Sequence, residues 1–131
     1  MIIDMSIDNT GDVNNGLIDG SSRRFHIGKF SGKFHFGIAG GHGFGPVWDT
    51  DRHIFELNGN GIAKLDDTSY TISTTPLSGV TIPMSLFGRN TNGTTNNFIV
   101  GKMWSCKIYN GDTLIMDLVP IEKDNVSYMY D

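Results

Sequence analysis

Along much of the chain, apolar and polar residues alternate with a period of two, the spacing of a strand with one buried face. In residues 2–8, Ile3, Met5 and Ile7 face one way and Asp4, Ser6 and Asp8 the other. Residues 24–30 set Phe25, Ile27 and Lys29 against Arg24, His26 and Gly28, and residues 33–38 put Phe34, Phe36 and Ile38 on one side. Ser31-Gly32 lies between them as a two-residue turn, so the pair reads as an antiparallel hairpin. Residues 52–58 set His53, Phe55 and Leu57 against Arg52, Ile54 and Glu56. The turn Asn58-Gly59-Asn60-Gly61 then leads to a return strand at 62–65, and Asp66-Asp67 leads to a Thr-rich strand at 68–74 with Tyr70 and Ile72 in phase. Pro76 and Gly79 break the pattern, residues 82–89 resume it, and a short strand at 127–130 comes last. Leu17-Ile18 reads as a brief strand, while 9–16, 19–22 and 90–97 read as polar loops and turns.

The hairpin over residues 98–120 is the element on which the others would pack. Two apolar-rich runs meet at Asn110-Gly111-Asp112, and Asn-Gly tolerates the positive φ that a tight turn needs. Trp104, Cys106 and Ile108 share one face of the first run. In the second run Leu114, Met116 and Leu118 alternate with Thr113, Ile115, Asp117 and Val119, so this strand is apolar on part of both faces. That pattern predicts a strand deep inside a sheet.

No run holds a period of 3.6 for more than two turns. Some ten or eleven short strands, roughly ten residues apart, indicate an antiparallel sandwich or barrel, with two packed sheets the usual solution. Composition agrees: 17 glycines, 8 phenylalanines and only two glutamates, Glu56 and Glu122, suit strands and turns better than helices. At 131 residues the chain is the size of one domain. A formal charge of -4 without a Lys/Arg cluster argues against nucleic acid as a partner. No stretch approaches the ~20 apolar residues of a spanning helix, so no membrane partner is expected. Cys106 is alone and falls on an apolar face, where it reads as a small hydrophobe.

The Gly-rich segment 39–46, AGGHGFGP, reads as a loop. A phosphate cradle needs a following helix whose N-terminal amides meet the anion; here Val47 to Asp51 and then a strand follow, which argues against nucleotide binding. His26, His35, His42 and His53 show no close paired spacing of the kind a zinc site presents. Asp49 and Asp51 supply oxygen ligands at alternate positions, which leaves calcium open, but no Asp-x-Asp-x-Asp-Gly loop with a distal Glu is present. No other cofactor is expected.

Residues 86–131 resemble the C-terminal half of the laminin G-like, concanavalin A-like jelly-roll modules found in bacteriophage structural proteins and gut-bacterial surface proteins. The resemblance rests on Arg89-Asn90 before a polar loop, a Gly-Lys-x-x-Ser-x-Lys-Ile-Tyr strand at 101–109, the Asn110-Gly111 turn, an Asp-x-x-Pro strand at 117–120, and Tyr130-Asp131. The segments 25–40 and 49–67 match the earlier hairpins of such modules less specifically. The resemblance implies an all-β antiparallel two-sheet jelly-roll sandwich spanning residues 1–131 as one module. Such modules begin with one more strand upstream and continue past the last strand seen here, so this one looks trimmed from a longer protein. A partner strand could complete an open edge.

Functionally the resemblance implies non-catalytic binding on a virion or extracellular surface. The ligand would be a glycan or bacterial surface polysaccharide, held on loops by aromatic faces and by Asn, Asp or backbone groups. His42, Trp48, Asp49 and Asp51 form one candidate group; Arg89, Asn90, Asn92 and Asn97 form another. Each has a plainer reading: Trp48 as a core-edge aromatic, the aspartates as turn residues bonding their own backbone, Arg89 as a brace, and the asparagines as solvated turn chemistry. A purely structural role in capsid decoration or tail assembly, through other virion or surface-protein subunits or a homo-oligomer, is the alternative. A glycoside hydrolase would need two carboxylates about 5 Å apart in a retaining enzyme, and the Glu-x-Asp-x-x-Glu pattern is missing. No Gly-x-Ser-x-Gly elbow appears either, so no catalytic residue is assigned.

Overall fold

A computed structural model of the chain describes residues 1–7, 15–20, 25–38, 41–72, 85–86, 89–91, 94–96 and 100–131. Its strands are β1 (Ile2–Ile7), β2 (Asn15–Gly20), β3 (Phe25–Phe30), β4 (Lys33–Ile38), β5 (Gly41–Val47), β6 (His53–Leu57), β7 (Ile62–Leu65) and β8 (Thr68–Thr71). Then follow β9 (Ser85–Leu86), β10 (Arg89–Thr91), β11 (Thr94–Asn96), β12 (Gly101–Asn110), β13 (Thr113–Lys123) and β14 (Val126–Tyr130). They build a seven-stranded sheet in the order β14-β13-β12-β1-β6-β7-β8, a five-stranded sheet in the order β5-β4-β3-β2-β9, and a small β10-β11 ladder. Every described pairing is antiparallel, and the described elements include no helix. The protein is all-β and sandwich-like.

The apolar phase of each strand lines the space between the two large sheets. Ile3, Met5 and Ile7 of β1, Phe55 and Leu57 of β6, and Ala63 and Leu65 of β7 meet Ile27, Phe34 and Phe36 from the five-stranded sheet. The Phe34 and Phe55 rings touch across the layers with centroids 5.6 Å apart. Burying one such side chain is worth roughly 1.5–3 kcal/mol. Lys29 follows the same inward phase and is buried, its ammonium 5.9 Å from the Trp48 ring. Cys106 is fully buried, and burial pushes its thiol pKa up, as expected of a core residue rather than a nucleophile.

Several elements differ from the sequence expectation, among them β2, which runs Asn15–Gly20 where only Leu17-Ile18 reads as a strand. The Gly-rich segment is not a loop: Gly41–Val47 is edge strand β5, paired with β4. Its glycines make room, since a Cβ on Gly43 would lie 3.1 Å from both Ile72 Cγ1 and the Thr71 carbonyl, and one on Gly45 would lie 3.1 Å from the Phe36 ring. Residues without side chains leave no period-two signal. Within the expected polar loop 90–97, β10 and β11 form a ladder with Asn90 opposite Thr95 and Thr91 opposite Thr94. β-branched threonine suits a strand whether or not its surroundings are apolar. The β12–β13 turn is framed one residue later than expected: Asn110 pairs with Thr113, and the turn residues are Gly111 and Asp112, with positive φ at Gly111. Finally, a register shift opposite Asp4 and Met5 leaves Met103 and Cys106 inward and turns Trp104 out of phase, so that it is exposed.

Candidate functional site

The first candidate group does not converge. His42 projects from β5 on the outer face of the five-stranded sheet, exposed. Trp48, immediately after β5, turns inward: its amide donates to the Gly32 carbonyl at 2.9 Å, and its ring packs on Phe34 with centroids 4.7 Å apart. Only 9% exposed, with Nε1 buried and without a hydrogen-bond partner, Trp48 presents almost no ring face to a ligand. Asp49 and Asp51 are exposed, and the Asp51 amide donates to Asp49 Oδ1 at 2.9 Å, the self-bonding turn of the plainer reading. In the second group, Arg89 and Asn90 belong to β10, which lies against β2 and β9. That is the end of the five-stranded sheet opposite β5. Asn92 and Asn97 lie outside the described residues.

What Asp49 does hold is His53. Asp49 Oδ1 lies 2.7 Å from His53 Nε2, and Asp66 Oδ2 lies 2.8 Å from His53 Nδ1. Asp66 sits at the β7–β8 turn with φ +52°, and its Oδ1 also accepts the Ile54 amide at 2.9 Å. Burial pulls the His53 pKa down, but the hydrogen bonds and charges of the two carboxylates outweigh it and leave the imidazole above its ordinary value. Burial likewise raises Asp66, yet the Ile54 amide and His53 bring it below the usual carboxylate range. With both ring nitrogens engaged, His53 ties three segments together and has no nitrogen left for a substrate proton. Asp49 Oδ1 is thus shared by the Asp51 amide and His53 Nε2. Among the described residues no group of three or more His, Cys, Asp or Glu is already gathered to hold a metal.

The feature that stands apart is the surface of β13 and β14. β13 is exposed or half-buried along its whole length. Leu118 and Met129 pack against the core. On the opposite face Val119 pairs with Tyr130 and Ile121 with Tyr128. These four residues are 41%, 62%, 39% and 51% exposed, respectively. No protein-family model matches this chain, and neither a curated protein nor a solved structure matches it. The surface therefore has to be read from its own chemistry. Lys107 and Asp117 form an ion pair at 3.2 Å where β12 meets β13, and Asp131 Oδ1 accepts the Asp117 amide at 2.8 Å. Beyond this pinned end, an apolar strip runs along β13 and β14. The sequence carried its signal, apolar residues on both faces, but that signal reads equally as burial within one chain.

A second feature is a cleft of about 690 Å³ between the Asn58–Gly61 turn and the β12–β13 turn. Glu56, Asn58, Asn60, Tyr109 and Asp112 are among its lining residues. Carboxylates, amides and one phenol are hydrogen-bonding chemistry suited to hydroxyl-rich ligands. None of these residues belongs to the predicted groups; turn residues drawn from strands about fifty positions apart carry no mutual spacing signal. On the outer face of the seven-stranded sheet, Arg52 donates from Nε to Asp4 Oδ1 at 2.7 Å while its guanidinium lies 4.3 Å from the Trp104 ring. This stacked ion pair fills what would otherwise be an exposed aromatic platform.

Proposed function

We propose that this protein is a non-catalytic assembly module, a concanavalin A-like jelly roll whose β13–β14 surface joins it to a second copy of itself within a virion or extracellular surface structure. One observation carries the reading: β13 has the two-sided apolar pattern of a buried strand, yet its outward partners Val119, Ile121, Tyr128 and Tyr130 are exposed. Edge strand β14 is free of charged residues and proline, the usual guards against pairing, and stands last among the described strands of its sheet. Two such surfaces packed face to face about a two-fold axis would bury both apolar strips, with no charge of β14 in the way. Each fully buried side chain would contribute roughly 1.5–3 kcal/mol, against an association cost of about 4–15 kcal/mol. The balance favours a concentration-dependent dimer.

Five acidic side chains are held in ion pairs, which supports the non-catalytic part. Asp4 pairs with Arg52, Glu56 with Lys64, Asp117 with Lys107, and Asp49 and Asp66 with His53. A glycosidase needs one carboxyl group free to donate a proton and another free to act as nucleophile or base. The resemblance of residues 86–131 to phage and bacterial surface modules supports the setting.

Sedimentation of the full chain from low micromolar to millimolar concentration tests the proposal. The expected result is a monomer–dimer equilibrium that Ile121→Lys or Tyr128→Lys shifts at least tenfold toward monomer. A wild-type chain that stays monomeric throughout sinks it. Glycan attachment is a second reading, favoured by the polar cleft and Tyr109. It expects a saturable polysaccharide signal that Tyr109→Ala and Asn60→Ala both weaken.

A further inference from the structure

Three histidines that look scattered in the sequence occupy one outward face of three successive strands. His26 of β3 lies opposite Gly37 of β4, and Gly37 lies opposite His42 of β5. His35 of β4 is two positions along the same face. The intervening residues Ile27, Lys29, Phe34 and Phe36 are buried on the other side, so the histidine face points to solvent. His35 is the centre of the group. Its ring centroid is 5.0 Å from that of His26 and 5.0 Å from that of His42. His35 Nε2 and His42 Nδ1 are 3.0 Å apart, with the ring planes within 12° of parallel.

Gly37 keeps the space between the outer two open. A Cβ at that position would stand 3.2 Å from His26 Cβ and 3.8 Å from His42 Nδ1. Phe44 and Phe30 flank His35, with centroids 5.1 Å and 5.6 Å away, and limit its access to water. Burial first, then the neighbouring His26 and His42, push the His35 pKa down to about 4.

We propose that this face binds one divalent transition-metal ion of the zinc or copper class, with His35 Nε2 and His42 Nδ1 as its protein ligands. Two imidazole nitrogens bound at 2.0–2.1 Å around a tetrahedral ion lie about 3.3 Å apart, so the observed 3.0 Å spacing needs only a slight opening. One of these two nitrogens now donates its proton to the other. On binding, that proton moves to the second nitrogen of its own ring, both lone pairs turn to the ion, and water on the ion is displaced. No net proton is released when both rings start neutral. Water fills the remaining positions, and His26 lies beside the pair, its ring centroid 5.0 Å from that of His35. Imidazole-only donors favour zinc, copper or nickel over calcium or magnesium, which prefer oxygen.

The test uses tag-free full-length protein stripped of metal. Zinc is titrated by calorimetry, with cobalt as a spectroscopic probe of tetrahedral nitrogen ligation. The expected result is one equivalent bound with a micromolar dissociation constant. His35→Ala and His42→Ala should each weaken binding at least tenfold and His26→Ala less, while His53→Gln leaves it unchanged. The three altered positions lie on an outer face, and circular dichroism of each variant verifies the fold. Absence of saturation by 100 µM zinc, or binding that survives both His35→Ala and His42→Ala, overturns the assignment.

Discussion

His53 is the residue on which the packing of three segments turns, because its two nitrogens reach Asp49 before β6 and Asp66 after β7. Its raised pKa fixes the sign of a pH effect. The protonated ring favours the folded state, so the contribution is full below the unfolded histidine value near 6.5 and is lost as pH rises through the higher folded value. Asp66, held low, contributes above its unfolded value and loses that contribution as pH falls through the folded one. The clamp is therefore strongest at mildly acidic pH. His53→Gln should lower stability by about 1 kcal/mol there, after discounting for the half-exposed carboxylates, and should flatten the fall in melting temperature toward pH 8. Melting curves of both proteins from pH 5 to 8 check this, and an unchanged slope would refute it. Trp48 gives a second prediction. Its ring is core, but its Nε1 is buried without a partner. Trp48→Ala should cost about 3–5 kcal/mol by urea unfolding, whereas Trp48→Phe, which removes the orphaned donor, should cost far less.

At the level of the element, β5 shows how glycine conceals a strand. It pairs with β4 through five registered positions, yet three of its seven residues are glycine and a fourth is proline. The space those glycines leave is used: Gly43 faces Thr71 and Ile72 where the edges of the two sheets approach, and Gly45 lies under Phe36. Gly43→Ala should therefore destabilise by roughly 1–3 kcal/mol, the ordinary cost of overpacking. Gly59→Ala, with nothing within 4 Å, should be close to neutral. Paired urea titrations separate the two, and equal effects would mean that β5 is not held against β8. The hairpins behave otherwise. Ser31-Gly32 takes positive φ at both residues, as its sequence predicts, and Asp124-Asn125 does the same between β13 and β14.

Across the whole molecule, stability and association should separate. The core lies between β1, β6 and β7 on one side and β3 and β4 on the other, while the outward residues of β13 and β14 contribute little to it. Ile121→Lys should weaken self-association and leave the urea midpoint of the monomer within about 0.5 kcal/mol of wild type, as for an exposed position. A large loss of monomer stability would mean that the strip is structural within the chain.

The amino-acid sequence by itself determined the all-β class and most strand positions, because period two and two-residue turns are local and each strand writes its own pattern. It also determined that Phe34, Phe36, Phe55 and Cys106 would point inward. Only the tertiary structure decided which apolar strand stays uncovered, since the two-sided pattern of β13 is the same whether the second surface meets its own chain or another. It also decided that His26, His35 and His42 are neighbours and that Trp48 belongs to the core. Those relations depend on strand order and register across separate segments, which no local spacing encodes.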